Sequence, residues 1–295
     1  MDKPLFIIID TDVGDDIDDA LALAVALRCP EVRVVGVTTV FRDGPRRALL
    51  SREVLDLFGG QDVPVFAGCS EPILPVWDTF PEGRQLGRQF EALDPNLHWN
   101  DERHAVDFLI QTARDFGSRG EPLTFVTIGA LTNIAIALRL APDIIPHIKI
   151  RAMGALWSRP HWEWNILCDP EAAAMVLSSG ADLTFVSFDV TEQCVLSPEQ
   201  EAQFAASEHA GARFLGELIA LWNHEVTLHD PLTVLTLFAD LVSFEPTRLE
   251  VDLNGQGQGR AVTRRVEGAP NALISTQVKV EESKRLFMER VLSGN

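Results

Sequence analysis

The chain has 295 residues, 46% hydrophobic and 23% charged, enough for one large α/β core, and a single domain over residues 1–295 is expected. Its formal net charge of −18 excludes a nucleic-acid backbone as partner, because a phosphate-binding surface needs a basic stripe that no segment supplies. No run of about 18 apolar residues is present to span a bilayer, and MDKPLFIIID leads into a strand without signal-peptide architecture, so a cytoplasmic protein away from membranes is expected.

Short β-rich runs at 5–9, 32–38, 63–66, 123–128, 148–153 and 183–188 alternate with helical patterns at 17–27, 46–57, 104–116, 133–140 and 170–177. That alternation predicts an α/β fold: a mainly parallel, doubly wound (Rossmann-like) sheet with helices on both faces. Beyond 188 the pattern turns mostly helical through 238. Strands near 249–253 and 273–280, read as an antiparallel extension, precede a last helix at 281–292. The polar, Gly- and Pro-rich stretches 78–100 and 254–270 read as long loops of the kind that often serve as lids. Cys29, Cys69, Cys168 and Cys194 form no CxxC pair, which predicts buried reduced thiols in place of a zinc site or disulfide frame.

The most informative stretch is FIIIDTDVGDDIDDALALAVAL, with six aspartates in ten positions between a strand and a helix. Asp10, Asp12, Asp15, Asp16, Asp18 and Asp19 fall beyond the carboxyl end of the first strand, where open α/β sheets bind ligands. Carboxylates packed so densely repel one another unless a cation neutralises them, and all-oxygen ligation suits Ca²⁺ or Mg²⁺. Asp15 and Asp16 fit equally well as caps of the helix, since capping needs only one or two acids. An EF-hand is excluded, because Gly14 comes one position early and Leu21 stands where the bidentate Glu belongs.

This run resembles the N-terminal signature of nucleoside hydrolases, roughly D-x-D-P-G-x-D-D-A, matched by Asp10, Asp12, Gly14, Asp18, Asp19 and Ala20. Val13 replaces the usual proline, and two extra residues lie between Gly14 and the Asp18-Asp19 pair. Three further segments resemble the same family in order. TFVTIGALTNIAIAL matches the segment in which a carbonyl before the glycine ligates calcium, Ile128 here. MGALWSRPHWEWNILCDPEAA matches the run in which Glu163 and Asn165 hold sugar hydroxyls, in a loop about four residues shorter than usual. TLHDPLTVLTLF supplies His229 and Asp230. A smaller match, VTTVFRD, places Asp43 where many members have Asn, either on the ribose or as a surface loop acid.

The resemblance implies hydrolysis of the N-glycosidic bond of ribonucleosides. In it Asp12, Asp19, Asp230 and the Ile128 carbonyl hold Ca²⁺, which lowers the pKa of a water for which Asp12 is the general base. Asp18, Glu163, Asn165 and Asp43 grip the ribose, His229 protonates the departing base, and Asp10, Asp15 and Asp16 add to or support the metal site. It further implies a small-molecule nucleoside as partner and a homodimer or homotetramer. Two rivals stand beside it. IIIDTDV also resembles the D-x-D motif of haloacid-dehalogenase-type Mg²⁺ phosphatases, and a family member that binds nucleosides or sugars without turnover would keep the same acids.

Overall fold

The computed structural model describes residues 3–74, 87–255 and 257–292. Its strands are β1 (Leu5–Thr11), β2 (Val32–Thr39), β3 (Val65–Ala67), β4 (Leu123–Thr127), β5 (Ile148–Met153), β6 (Asp182–Val186), β7 (Val242–Thr247), β8 (Leu249–Val251), β9 (Thr263–Arg265) and β10 (Ala272–Val278). Its helices are α1 (Asp18–Arg28), α2 (Gly44–Leu57), α3 (Ala105–Ser118), α4 (Thr132–Leu140), α5 (Trp164–Cys168), α6 (Pro170–Leu177), α7 (Phe188–Thr191), α8 (Pro198–Ala205), α9 (Ala210–Trp222), α10 (His229–Leu235) and α11 (Val280–Leu292).

Among the described residues eight strands form one sheet in the order β3-β2-β1-β4-β5-β6-β10-β7. Every pairing in it is parallel except that of β7 with β10. The mainly parallel, doubly wound α/β fold expected from the alternation is therefore the fold observed. β1 explains why: FIII is buried on both faces, as a central parallel strand requires, with Ile7 and Ile9 packed into one core layer and Ile8 into the other. Each such isoleucine contributes roughly 1.5–3 kcal/mol by leaving water.

The chain leaves β1 for β2 on one side and later returns to β4 on the other, so strand order reverses between β1 and β4. Beyond the carboxyl ends of these two neighbours lies the crevice in which doubly wound sheets bind ligands.

The C-terminal third departs from the sequence reading. β10 is itself parallel to β6, and the antiparallel pairings there are those of β7 with β10 and, outside the main sheet, of β8 with β9. The stretch 254–270, expected to be a loop, contains β9, which pairs with β8 in a separate two-stranded ribbon. β7 (VSFEPT) and β9 (TRR) are too short, polar or Pro-bearing to carry a strand signal, and pairing alone makes them strands. Of the expected loop 78–100, residues 78–86 lie outside the described residues, and the remainder holds a 3₁₀ turn at Arg88–Ala92. Cys29, Cys168 and Cys194 are buried free thiols, and Cys69 is a half-buried one.

Candidate active site

The acid loop between β1 and α1 is buried throughout, apart from half-buried Asp16. Asp10, the last acid still within β1, points away from solvent and accepts hydrogen bonds from Thr38 Oγ1 at 2.5 Å and Asn133 Nδ2 at 2.7 Å. Burial pushes its carboxyl up to about 7, against the pull of those two donors. Asp12 follows, with Gly129 of the β4–α4 turn packed against it. A Cβ at Gly129 would sit 2.8 Å from Asp12 Oδ1 and 2.9 Å from its amide nitrogen, so only glycine permits this approach. Asp18 and Asp19 open α1, whose cap residue Ile17 offers no side-chain bond, so the two acids face the unsatisfied amides and positive end of the helix. Thr11 Oγ1 donates to Asp19 Oδ1 at 2.5 Å.

Asp230 arrives from the far end of the chain, in the first turn of α10, which packs along α1. Its amide donates to Asp18 Oδ2 at 3.3 Å across 212 residues of sequence. Carboxylate oxygens of Asp18, Asp19 and Asp230 all lie within 4.8 Å of one another, and all three residues are buried. Burial first, then mutual repulsion, holds their carboxyls well above the usual carboxylate range: Asp16 acts on Asp18, Asp12 on Asp19, and Asp18 on Asp230. Three hard oxygen donors brought together at such electrostatic cost, with no thiolate or imidazole among them, fit a hard divalent cation.

The opposite wall is the loop after β5. Gly154 (φ 152°) and Ala155 (φ 66°) turn the chain sharply there. The turn brings the Ala155 amide onto Glu163, which also accepts from the amides of Asn165 at 2.9 Å and Ile166 at 3.1 Å as the cap of α5. Burial nevertheless pushes Glu163 up to about 7, because three amides do not replace bulk water around a fully buried carboxylate. Asn165 Nδ2 donates to the carbonyls of Ile128 at 3.2 Å and Met153 at 3.3 Å, tying the ends of β4 and β5 to this loop. His229 is fixed by a 2.7 Å hydrogen bond between Nδ1 and Thr191 Oγ1, and its ring stacks on Phe188 at 5.1 Å.

These parts enclose one cavity of about 300 Å³, the lower end of the range for small-molecule sites. Asp12, Asp15, Asp16, Asp18, Asp19, Asp230 and Ile128 line its acidic floor, and Glu163, Asn165 and His229 line its walls. Trp162, Trp164 and Phe188 supply flat apolar surface beside them. A polar floor able to hold a cation beneath an aromatic upper part suits a ligand with a hydroxylated half and a planar half.

The sequence-predicted residues thus converge, with four differences, the first being Asp10, which is bound to Thr38 and Asn133 and is not among the cavity-lining residues. Asp43 is exposed and caps α2 by accepting from the Arg46 amide at 3.1 Å; it is not among the cavity-lining residues. Asp18, given to the ribose by resemblance, stands in the close carboxylate trio, whereas Asp12 lines the same cavity outside that trio. Asp15 is ion-paired with Arg47 at 2.9 Å. Sequence reading missed Arg47, Gly129, Thr191 and Phe188, whose signals are single residues indistinguishable from core or helix positions. His161 also lines the cavity.

A sequence profile described as inosine-uridine preferring nucleoside hydrolase matches residues 7–285. The chain is 32% identical over 273 residues to uridine nucleosidase 1 of Arabidopsis thaliana, covering 84% of this chain and 79% of that protein. It is 31% identical over 305 residues to the non-specific ribonucleoside hydrolase RihC of Klebsiella pneumoniae, covering 96% and 97%. Among solved structures, a purine-preferring ribonucleoside hydrolase from Gardnerella vaginalis superposes with a TM-score of 0.80 at 26% identity, covering 97% of this chain and 98% of that one.

Proposed function

The chain belongs to the inosine-uridine preferring nucleoside hydrolase family and is an N-glycosyl hydrolase, and on that premise we propose how it cleaves ribonucleosides into ribose and free base with Ca²⁺ as its cofactor. The observation that carries this reading is the convergence of Asp12, Asp18, Asp19, Asp230, Glu163, Asn165 and His229 on one cavity from three separate stretches of chain.

Asp12, Asp19, Asp230 and the Ile128 carbonyl would hold the ion, and Asp18, whose carboxylate lies within 4.8 Å of those of Asp19 and Asp230, would share it and also serve the sugar. When bound, Ca²⁺ neutralises this cluster and makes a coordinated water more acidic. Asp12 accepts the proton of the attacking water as it reaches the anomeric carbon. Glu163 accepts hydrogen bonds from ribose hydroxyls, and Asn165, anchored through its amide nitrogen, offers its amide oxygen to another. Together they hold the carbon from which the base departs, and that carbon gains positive charge as the C–N bond breaks. The base stacks among Trp162, Trp164 and Phe188. His229, oriented by Thr191, delivers a proton through Nε2 to the leaving nitrogen.

The phosphatase reading of the first motif leaves the Glu163 and His229 walls of the same cavity without a role. The test combines ribose release from purine and pyrimidine ribonucleosides with calcium calorimetry. Asp12→Ala and Asp230→Ala are expected to lose both calcium binding and turnover. His229→Ala keeps calcium affinity and loses about 10²-fold in kcat, the low end for a positioned acid. Undiminished turnover in Asp12→Ala overturns the assignment, and nucleoside binding without ribose release makes the protein a non-catalytic binder.

A further inference from the structure

Arg47 sits in the second turn of a helix that opens GPRR, yet it is only 1% exposed. Its guanidinium runs beneath the acid loop. Nε donates to the Phe41 carbonyl at 2.7 Å, and Nη1 donates to the Val13 carbonyl at 3.0 Å and to the carbonyl of Asp12. Nη2 pairs with Asp15 Oδ2 at 2.9 Å. The acceptor on the far side belongs to a strained turn: Phe41 and Arg42 are consecutive non-glycine residues with φ of 66° and 60°, a conformation that persists only where its surroundings enforce it. A planar fork with five donors can serve three carbonyls and a carboxylate at once, and a lysine ammonium cannot.

The geometry points to Arg47 as a positioning residue that clamps the main chain of Asp12 and so sets where its carboxylate stands relative to Asp19 and Asp230. Asp15 is then the anchor of the guanidinium and not a ligand of the ion. Asp15, which lies in the stretch read as longer than the resembled signature, thereby ties the acid loop to α2. The inference rests on the function proposed above, in which these acids hold a divalent cation.

Charge alone predicts the opposite experimental sign. Removing a cation from beside a carboxylate cluster deepens its negative potential and should tighten calcium binding. Loss of positioning should loosen it, by about tenfold to a hundredfold, as removal of groups behind metal ligands commonly does.

The experiment titrates the full-length protein with calcium chloride by calorimetry, and measures melting temperature and ribonucleoside kinetics at saturating calcium. Arg47→Met is expected to raise the calcium Kd at least about tenfold and to lower kcat by a similar factor, with KM within about twofold. Arg47→Lys keeps the charge and loses the fork; it is expected to show the same loosening, and it decides the matter if Arg47→Met does not fold. Calcium binding that is unchanged or tighter in the folded variants overturns the inference, as does a lower melting temperature with an unaltered Kd, which makes Arg47 a core residue only. If the wild-type protein neither binds calcium nor releases ribose, the function proposed above fails and takes this inference with it.

Discussion

The two loops that face each other across the cavity are held in opposite ways. The acid loop after β1 is fixed from inside: Arg47 spans its carbonyls, Thr11 holds Asp19, and Gly129 seats Asp12, all of them buried. The aromatic loop after β5 is rooted in buried amides and carbonyls at its end, Glu163 to Asn165, and is tied to α7 at its start, where the Trp157 and Ser158 amides donate to Asp189. Its middle, from Ser158 to His161, is exposed, and its braces come from outside. Trp162 bridges to Val262, and Arg265 of the ribbon lies over the Trp157 ring at 3.5 Å. Like charges held close together tolerate little displacement, whereas a flat apolar surface works over a range of positions. Under the function proposed above, the first loop would serve the ion and the water, and the second the sugar and the base.

The contrast is broken most severely at Gly129. Gly129→Ala drives a methyl group to 2.8 Å from Asp12 Oδ1, and the backbone must shift. About a 10²-fold loss of kcat is expected, the scale of an ångström-level misplacement of a reacting group, with the melting temperature as control. Full activity in that variant means the acid loop is more compliant than its buried ties suggest.

An intermediate effect is expected in the pH dependence of stability once calcium is chelated. Asp10 and Glu163 stand at about 7 in the folded chain and near 4 when unfolded. Between those values the folded protein holds protons that the unfolded chain has released, so stability is greatest below about pH 4 from these groups and is lost as pH rises through 7. In chelator the melting temperature should therefore fall from about pH 5 to pH 8, and added calcium should offset most of the fall by binding only the folded state. A flat profile in chelator contradicts the cost assigned to these buried acids.

The smallest effect belongs to the aromatic loop. Arg265→Ala removes one cation–π contact worth about 0.5–1 kcal/mol, so KM for ribonucleosides should rise about twofold to fivefold while kcat and calcium affinity stay unchanged. A change in calcium affinity here erases the proposed division of labour.

What the sequence made legible follows the same divide between local and distant causes. The sheet strands β1, β2, β4, β5 and β6 announce themselves through apolar runs, and the acids announce themselves by density, because both signals lie within a dozen residues. Arg47 is silent, since an arginine in an early helical turn reads as solvated until its partners fold over it. Asp43 left two readings open for a related reason: an acid before Gly-Pro serves a helix cap as well as it serves a ligand, and in the structure it caps α2. The close grouping of Asp18 with Asp19 and Asp230 was likewise out of reach, because neighbouring acids on one loop differ only in direction, which sequence does not carry.

The contact between the Asp230 amide and Asp18 closes a loop of 212 residues. A chain emerging from the ribosome therefore exposes its acidic motif early but does not bring Asp18, Asp19 and Asp230 together until α10 has been made and docked. Any ion that prefers the finished cage rewards completed folding alone, and a truncated or misassembled copy gains nothing from it. Under the function proposed above, an ion held there would in that sense be a quality mark on the molecule, granted only after these distant segments have met.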